Sequence, residues 1–483
     1  MAWILLPAAL QLAALLATST RYGFHRDELY FVVAGSHPAL GYPDQPPLVP
    51  LLSHAAYALD PGSPFLLRLP SALAATSTTA VAALIAREVG GGRRAQLIAA
   101  ACTASSGFAL AVGHFVTTTT FDLLATTLFL WFAVRALVRR SAPMLLAAGL
   151  VVGIGFEAKP QVGIVAAVGA ASLLATGPRW PFRSRWAAAG VVAAVAVAAP
   201  YLVWQQQHGW PQVTVAGNIG GSAEGGRIGF IPFQLLLVSP VLVPVWVAGL
   251  LAPFRREGLR MLRFVPVTYV VLAVLYLVGN GKAYYLASLY PLLLGLGAVP
   301  AAAWTLQSHR RMRLLAAAVV VSAAVSAVIA LPLLPERSLQ GSVVIAINPD
   351  QGETVGWPRS VAAVTAAWRR IPQRERPRTA IFTRNYGEAG AVDLLDRADS
   401  LPRAYSGHNG FSEWGMPPAR DRLALLVGFD GARDAAPLFA GCHLLGRVDN
   451  GVGLENDEQG LPLLLCRPTS SWDVLWPRLT HFD

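Results

Sequence analysis

Long apolar blocks, separated by short charged breaks, constrain this chain more than any other feature. Hydrophobic residues make up 54% of its 483 residues and only 13% are charged, about half the charged fraction of an average soluble protein. A helix needs about 20 mostly apolar residues to cross a bilayer, and several blocks approach or exceed that length. The sequence therefore predicts a polytopic α-helical membrane protein and excludes an ordinary soluble fold.

We predict about eleven transmembrane helices. Their predicted positions are 3–20, 64–86, 95–113, 118–138, 142–157, 161–177, 186–205, 231–252, 264–279, 283–304 and 314–334. The pair flanking Lys159-Pro160 is short, and we split it there because proline does not fit a helix interior; one kinked, re-entrant helix is the alternative. A cleaved signal peptide is the alternative for the first block, which lacks a positively charged start.

The basic residues alternate between the loops of this predicted topology. Residues 1–339 hold 23 basic and 10 acidic residues, whereas residues 340–483 hold 15 and 17, so the net charge of +11 belongs to the membrane part and does not indicate nucleic-acid binding. Every second loop collects arginine, 16 in all, against Glu88 and Glu257. Because positively charged loops stay in the cytoplasm, the first long loop and the C-terminal domain are predicted to lie outside.

Two domains follow from this pattern: a membrane domain, 1–338, whose first external loop spans 21–63, and a soluble extracytoplasmic α/β domain, 339–483. In the second, short apolar runs predict strands at Ser342–Ile347, Thr379–Phe382, Leu423–Val427 and Leu463–Cys466, and helices are predicted at Val361–Arg370 and Glu388–Asp396. Cys442 and Cys466 could pair in an oxidising compartment, but two free thiols are equally compatible with the sequence.

An adjacent pair of acids, Asp27-Glu28, follows the first predicted span. Ionisable groups at a membrane edge are costly unless solvated or paired, so they are candidates for function. In the same loop, Asp44 precedes Gln45 and two prolines that restrict the backbone. This predicts a rigidly presented carboxylate, or simply the cap of a following helix.

The two lysines of the chain, Lys159 and Lys282, are both predicted at external span ends, among 38 basic residues. A compact ammonium charge suits phosphate binding or pairing with an acid, although two residues could share a face by chance. Asp122 is predicted one turn inside the fourth span, after His114 and a run of threonines. The glycine-rich stretch 217–227 predicts either a mobile cover or a plain flexible connector.

These residues resemble glycosyltransferase family 39, which includes protein O-mannosyltransferases and the aminoarabinose transferases of lipid A. The resemblance rests on the Asp27-Glu28 pair, the Pro-Asp-Gln-Pro-Pro-Leu run around Asp44, Asp122, Lys159 and the Lys-x-x-Tyr run from Lys282. It covers residues 1–310, and Asn385–Gly390 and Ser406–Asn409 resemble bacterial members of unassigned substrate. It implies a GT-C fold and a polyprenyl-phosphate sugar as donor, used on the outer side of a bacterial inner membrane.

The resemblance and the charges together give candidate roles. The predicted catalytic residues are Asp27, Glu28 and Asp44, with Asp27 as the base for the acceptor hydroxyl. The predicted donor-phosphate ligands are Lys159, Lys282, Arg26, Arg68 and Tyr285. The predicted cavity residues are Asp122, His114, Tyr30 and Gln45. An inverting single displacement needs no covalent enzyme intermediate. No cofactor is identified, and a divalent metal near Asp44, His25 or His114 is left open.

The predicted function is therefore transfer of a sugar from a lipid-linked donor to a lipid, glycan or protein acceptor of the cell envelope. A transporter or flippase of lipid-linked sugars is the alternative, but it predicts inverted repeats and ionisable groups at the bilayer midplane, and neither is evident in the sequence. A polymerase or ligase using diphosphate donors would share the fold and need more external arginines. The sequence does not give the sugar, the acceptor or the oligomeric state.

Overall fold

The structure is a computed structural model that describes residues 2–221, 226–396 and 400–483. Its α-helices in chain order are α1 (Ala2–Thr18), α2 (Arg26–Ser36), α3 (Leu48–Leu59), α4 (Pro64–Glu88), α5 (Arg93–Ala104), α6 (Gly107–His114), α7 (Thr118–Arg139), α8 (Pro143–Phe156), α9 (Gln161–Thr176), α10 (Arg185–Gln207), α11 (Pro211–Gly221), α12 (Gly226–Val238), α13 (Val243–Arg255), α14 (Phe264–Val278), α15 (Tyr290–Leu306), α16 (His309–Ala330), α17 (Val343–Ile347), α18 (Trp357–Arg370), α19 (Tyr386–Leu395), α20 (Ala432–Ala435) and α21 (Trp472–Leu479).

The strands are β1 (Thr379–Thr383), β2 (Ala404–Ser406), β3 (Leu423–Val427), β4 (Phe439–Arg447) and β5 (Pro462–Pro468). They form one mixed sheet in the order β2-β1-β3-β5-β4. Strand β1 pairs in parallel with β2 and with β3. Strand β5 pairs antiparallel with β3 and with β4. The parallel strands are almost wholly buried, as expected where helices connect them.

The contacts divide the chain into two compact units. The helical unit comprises Met1–Ser19, Arg68–Gln207 and Gly217–Leu331, and the sheet unit comprises Thr20–Leu67, His208–Ala216 and Pro332–Asp483. The first long loop thus belongs to the same unit as the sheet, although the two are distant in sequence. The domain boundary predicted between residues 338 and 339 stays a prediction.

Apolar helices dominate the helical unit. Six described helices are long and apolar enough to cross a membrane, or up to eight if each of two bent pairs counts as one span. The bent pairs are Arg93–Ala104 with Gly107–His114, and Arg227–Val238 with Pro240–Arg255. Three further predicted spans fall on the shorter apolar helices Leu5–Thr18, Pro143–Phe156 and Gln161–Thr176. The predicted multi-pass helical fold is confirmed, with spans of unequal length.

Glycines let helices of this unit approach closely. A Cβ atom on Gly297 of α15 would lie 1.8 Å from the carbonyl oxygen of Val245, and one on Gly249 of α13 would lie 2.0 Å from that of Leu293. Any side chain at these positions would force α13 and α15 apart. Small residues at helix contacts are the usual means of tight packing between membrane helices.

In the sheet unit, α2 packs on α19. A Cβ on Gly387 would lie 2.7 Å from Cβ of Arg26, and one on Gly390 would lie 3.0 Å from the backbone of Leu29. Both helices also begin with a capping box: Glu28 accepts from the His25 backbone N–H in α2, and Glu388 accepts from that of Asn385 in α19. The glycines and the caps together fix how the first turns of the two helices meet.

Several local predictions are confirmed and two are wrong. The strands at 379–382, 423–427 and 463–466 and both C-terminal helices are present. Ser342–Ile347 is not a strand, because the Ser342 hydroxyl caps the short helix α17. Asp44 does not cap α3, whose N-cap is Pro47. Within the glycine-rich stretch, Gly217–Gly221 ends α11, and residues 222–225 lie outside the described residues.

The two cysteines of the C-terminal region form a disulfide, Cys442–Cys466. It joins β4 to β5, which are neighbours in the sheet. Of the two alternatives that the sequence left open, the structure therefore has the paired one. Cys102 is a free thiol buried in α5.

Candidate functional site

Lys159 and Lys282 share one tyrosine ring, that of Tyr284, in the helical unit. The Lys159 ammonium is 5.5 Å from the ring centre of Tyr284 and 5.0 Å from that of Tyr285. The Lys282 ammonium is 5.9 Å from the centre of the Tyr284 ring. A ring face attracts a cation at this range without neutralising its charge. The arrangement therefore holds two positive charges near each other while leaving both able to attract an anion.

We call Lys159, Lys282, Tyr284 and Tyr285 the lysine–tyrosine cluster. A threonine hydroxyl also binds Lys159. Its ammonium donates to the Thr119 hydroxyl over 2.9 Å, in the first turn of α7. That turn is fixed by Thr117, whose hydroxyl accepts from the Thr120 backbone N–H. The sequence run of threonines is thus both a helix cap and a contact for the lysine.

Asp122 lies one turn further along α7 and is fully buried. Its carboxylate accepts a hydrogen bond of 2.6 Å from the Ser288 hydroxyl, and the Thr126 hydroxyl is 3.5 Å away. It also interacts electrostatically with Lys159. Asp122 therefore balances part of the positive charge of the lysine–tyrosine cluster, as a lone acid in a membrane helix is expected to do.

Arg68 and His114 are buried elsewhere in the helical unit, 1% and 3% exposed. The Arg68 guanidinium donates to the carbonyl oxygen of Ser19 over 2.6 Å. It also interacts electrostatically with His114. Its predicted contact with donor phosphate stays a prediction.

Asp27, the predicted base, is held by a tyrosine from the far end of the chain. Tyr386, the first residue of α19, donates its hydroxyl to the Asp27 carboxylate over 2.9 Å. Burial, together with the charge of Asp27, raises the pKa of Tyr386 well above its usual value, so this hydroxyl stays a proton donor. The Asp27 side chain is still 31% exposed. A carboxylate that is oriented by one bond yet accessible can accept a proton from a bound hydroxyl.

Asp44 is held in the same way by a second tyrosine. The buried Tyr30 hydroxyl donates to Asp44 over 2.6 Å and accepts from the Gly410 backbone N–H over 3.1 Å. Burial raises the pKa of Asp44 to about 7, against the opposing effect of the Tyr30 hydrogen bond, and the charges of Asp27 and Glu413 raise it further. Gln45 is also buried, beside the Tyr30 hydroxyl.

The two tyrosines form one aromatic layer. The ring centres of Tyr30 and Tyr386 are 4.7 Å apart. Each ring therefore packs against the other, while its hydroxyl binds Asp44 or Asp27. We call Asp27, Tyr386, Tyr30 and Asp44 the tyrosine–carboxylate pairs. They combine two predicted catalytic acids with the predicted cavity residue Tyr30, all within the sheet unit.

Glu28 and Arg26 are engaged in other contacts. Glu28 is fully buried, and its carboxylate accepts from the His25 backbone N–H over 2.8 Å, which is a helix-capping contact. The Arg26 guanidinium lies 2.9 Å from Asp457 and 3.6 Å from Glu353. These contacts hold the first turn of α2 in position. The predicted roles of Glu28 in catalysis and of Arg26 in phosphate binding stay predictions.

Sequence reasoning missed Tyr386, Gly410, Thr119 and Ser288. Tyr386 stands in the stretch Asn385–Gly390, which resembles bacterial family members but was given no role. Asn385 and Glu388 carry the spacing of a capping box, which was a usable signal for a helix start at Tyr386. Nothing in the sequence indicates that this tyrosine would reach Asp27, because the two are 359 residues apart.

Comparison with known proteins agrees with this fold. The family model described as dolichyl-phosphate-mannose-protein mannosyltransferase matches residues 44–204, about a third of the chain, which contain Asp44, Asp122 and Lys159. No curated protein sequence matches the chain.

Solved structures match over more of the chain. ArnT from Cupriavidus metallidurans bound to undecaprenyl phosphate is similar with a TM-score of 0.62 and 17% identity, over 97% of this chain and 98% of that one. The oligosaccharyltransferase AglB from Archaeoglobus fulgidus, in complex with an inhibitory peptide and a dolichol-phosphate, is similar with a TM-score of 0.50 and 12% identity, over 81% and 63%. The arabinofuranosyltransferase AftD from Mycobacteria gives 0.50 and 16%, over 79% and 29%.

The resemblance drawn from the sequence is thus confirmed by the matching family model and by the fold. The chain is a multi-pass membrane protein with the GT-C fold seen in ArnT, and its residues 44–204 are similar to the mannosyltransferase family model.

Proposed function

We propose that this protein is a membrane glycosyltransferase that moves a sugar from a polyprenyl-phosphate donor to an acceptor of the cell envelope. The observation that carries the proposal is the position of the chain's two lysines on the ring of Tyr284, with Lys159 also on the ring of Tyr285. Two compact cations side by side match the charge of a phosphate monoester or diester. The likeness to a protein bound to undecaprenyl phosphate supports a lipid-linked donor.

The lysine–tyrosine cluster is proposed as the donor site. As the bond between the anomeric carbon and the phosphate oxygen breaks, negative charge grows on that oxygen. Lys159 and Lys282 stabilise this charge. Such electrostatic stabilisation of the transition state is usually the largest single contribution to catalysis. Tyr285 forms one wall of the site. Asp122 and Thr119, one turn apart in α7, keep Lys159 in place, the first by its charge and the second by a hydrogen bond.

The tyrosine–carboxylate pairs are proposed as the acceptor side. The acceptor oxygen forms a bond to the anomeric carbon, its proton passes to the Asp27 carboxylate, and the polyprenyl phosphate leaves with the bonding electron pair. A single displacement of this kind inverts the anomeric centre and needs no covalent enzyme intermediate. Tyr386 orients Asp27, and Asp44, with its pKa raised to about 7, shares the acid–base work near neutral pH.

The reaction is proposed to occur on the outer face of a bacterial plasma membrane. The arginine-rich loops predict which ends of the helices are cytoplasmic. The Cys442–Cys466 disulfide supports an extracytoplasmic sheet unit, because such bonds persist in oxidising compartments. A reporter that is active only outside the cytoplasm, fused after residue 483, should be active; activity only of a cytoplasmic reporter would contradict this location.

The direct test is transfer by the purified protein in detergent or liposomes. Radiolabelled polyprenyl-phosphate sugars, offered singly, are incubated with cell-envelope lipids, glycans or proteins as acceptors. The expected result is label on an acceptor, with release of unlabelled polyprenyl phosphate in equal amount. Lipids that co-purify with the protein, identified by mass spectrometry, select the donors to try first.

The same assay separates the enzyme from a transporter. A flippase would move labelled donor across the liposome membrane and leave the sugar–phosphate bond intact. Transbilayer movement without cleavage for every donor, in a preparation that binds those donors, would overturn the proposed transfer.

A further inference from the structure

A short segment at residues 480–483 is fixed against residues 407–410 in the sheet unit. The His481 N–H donates to the Gly407 carbonyl over 2.9 Å, and the Asn409 N–H donates to the His481 carbonyl over 3.0 Å. The Asn409 amide also bonds the Asp483 backbone in both directions. Gly407 allows the approach, since a Cβ there would lie 2.1 Å from the Leu479 carbonyl oxygen. The backbone thus fixes the side chains on both segments relative to each other.

This contact brings three metal-ligating side chains together. Ligand atoms of His408, His481 and Asp483 all lie within 4.8 Å of one another. The two imidazole rings stack with centres 4.4 Å apart, and His408 Nε2 contacts the Asp483 carboxylate. His408 is 93% buried, or 7% exposed, while Asp483 reaches solvent. A cation could therefore enter from the surface and meet a buried imidazole.

The hydrogen bond of the His481 ring leaves its other nitrogen able to bind a metal. His481 Nδ1 lies 2.9 Å from the Leu479 carbonyl oxygen, and a carbonyl only accepts, so Nδ1 carries the proton and Nε2 keeps its lone pair. An imidazole that donates its other N–H to a backbone carbonyl is the usual state of a metal-bound histidine. His408 Nε2 faces the Asp483 carboxylate and donates a proton to it, so this nitrogen offers a lone pair when a cation takes the place of that proton.

We propose that His408, His481 and Asp483 bind one divalent transition-metal cation of the Zn²⁺ class. Two imidazoles and a carboxylate suit Zn²⁺, which binds such ligands at about 2.0–2.2 Å and keeps water at a fourth position. A single proton can bridge only His408 and Asp483, whereas a metal cation can bind ligand atoms of His408, His481 and Asp483 at once. Ca²⁺ and Mg²⁺ prefer sites made of oxygen ligands alone.

The site has a consequence for the tyrosine–carboxylate pairs, and that part rests on the proposed function. The His408 ring centre is 4.6 Å from that of Tyr386, which donates to Asp27. Two residues beyond His408, the Gly410 N–H donates to Tyr30, which holds Asp44. A metal that fixes His408 would thus fix both tyrosines, as a positioning element and without contact with the reacting atoms.

The test uses the full-length protein, purified through a tag without histidine and stripped with a chelator. Zn²⁺ is titrated by calorimetry, and Co²⁺ is added to read ligand geometry from its visible absorption. His481→Ala and Asp483→Asn are the variants, because both side chains reach solvent and their loss should not prevent folding. His443→Ala and Asp473→Asn, at exposed positions of the same unit, are the matched controls.

The wild type and both controls should bind one equivalent of Zn²⁺, which raises their melting temperature, and give the Co²⁺ spectrum of a four-coordinate site. His481→Ala and Asp483→Asn should bind at least about tenfold more weakly, about 1.4 kcal/mol. No uptake by the wild type, or equal uptake by the two variants, would overturn the metal site and leave a plain His–Asp ion pair. Binding and melting are read without any transfer assay, so this outcome is independent of the proposed function.

Discussion

The lysine–tyrosine cluster and the tyrosine–carboxylate pairs use the same side chain in opposite ways. In the helical unit, the faces of Tyr284 and Tyr285 hold cations. In the sheet unit, the hydroxyls of Tyr386 and Tyr30 hold carboxylates. A ring face positions a charge without satisfying it, whereas a hydroxyl satisfies one lone pair and fixes direction. The first arrangement suits binding of an anion, and the second suits oriented transfer of a proton.

The largest expected effect is at Asp27. We expect Asp27→Asn to lower the transfer rate by about 10²–10⁴-fold, the usual contribution of a general base, with donor binding largely kept. The matched control is Asp60→Asn, an exposed acid in the same loop. Turnover by Asp27→Asn at the wild-type rate would exclude Asp27 as the base and leave Asp44 to be tested in its place.

The next largest effect is on donor binding, and it tests the role of the Tyr284 ring face. Lys282→Ala should weaken donor binding by about tenfold, equivalent to about 1.4 kcal/mol, and have less effect on the rate at saturating donor. Tyr284→Leu should weaken it too because both lysines lose a ring face, whereas Tyr284→Phe keeps the face and should bind donor nearly as the wild type. The control for net charge is Arg310→Ala. Intact donor affinity in Lys282→Ala would contradict the phosphate role.

A smaller effect concerns the pH dependence of the second pair. The pKa of Asp44 is raised from 3.8 to about 7, so the folded state binds more protons than the unfolded state between those values. The free energy of unfolding should therefore fall as pH rises from about 4 to about 7 and then level off. Asp44→Asn should remove that fall. Unfolding measured at pH 4.5, 6 and 8 gives the slope, and identical slopes in both proteins would refute the raised pKa.

The same carboxyl predicts a shift in activity. If ionised Asp44 is needed for transfer, the rate should decline below about pH 7 in the wild type. Tyr30→Phe removes the hydrogen bond that lowers the pKa of Asp44, so the decline should begin at a higher pH. An unchanged pH–rate profile in Tyr30→Phe would show that this pair does not control the reaction.

The smallest effect distinguishes a cap from a catalyst within one acidic pair. Glu28→Gln can still accept from the His25 N–H and should keep most of the transfer activity. Glu28→Ala removes the cap and should cost about 1 kcal/mol of stability, read as a lower melting temperature. The control is Glu388→Gln, which makes the same change in the capping box of α19. A loss of activity in Glu28→Gln as large as in Asp27→Asn would make Glu28 a catalytic partner.

The helical unit could be predicted largely from local sequence. Apolar length and proline position determine where helices begin and end, and the eleven predicted blocks all fall on apolar helices or helix pairs. Asp122 stood out for a related reason, because few charged residues occur inside such segments and each one needs a partner. Lys159 and Lys282 stood out because they are the two lysines among 38 basic residues, both at predicted external span ends.

The sequence by itself therefore determined the membrane class, the positions of the apolar helices and the charged residues of interest in this protein. Only the tertiary structure decided which side chains hold them. Tyr386 meets Asp27, and Gly410 meets Tyr30, across more than 350 residues, through close packing at Gly387 and Gly390. Contacts of that kind depend on how two helices pack, and no periodicity or spacing along the chain encodes a partner at that distance.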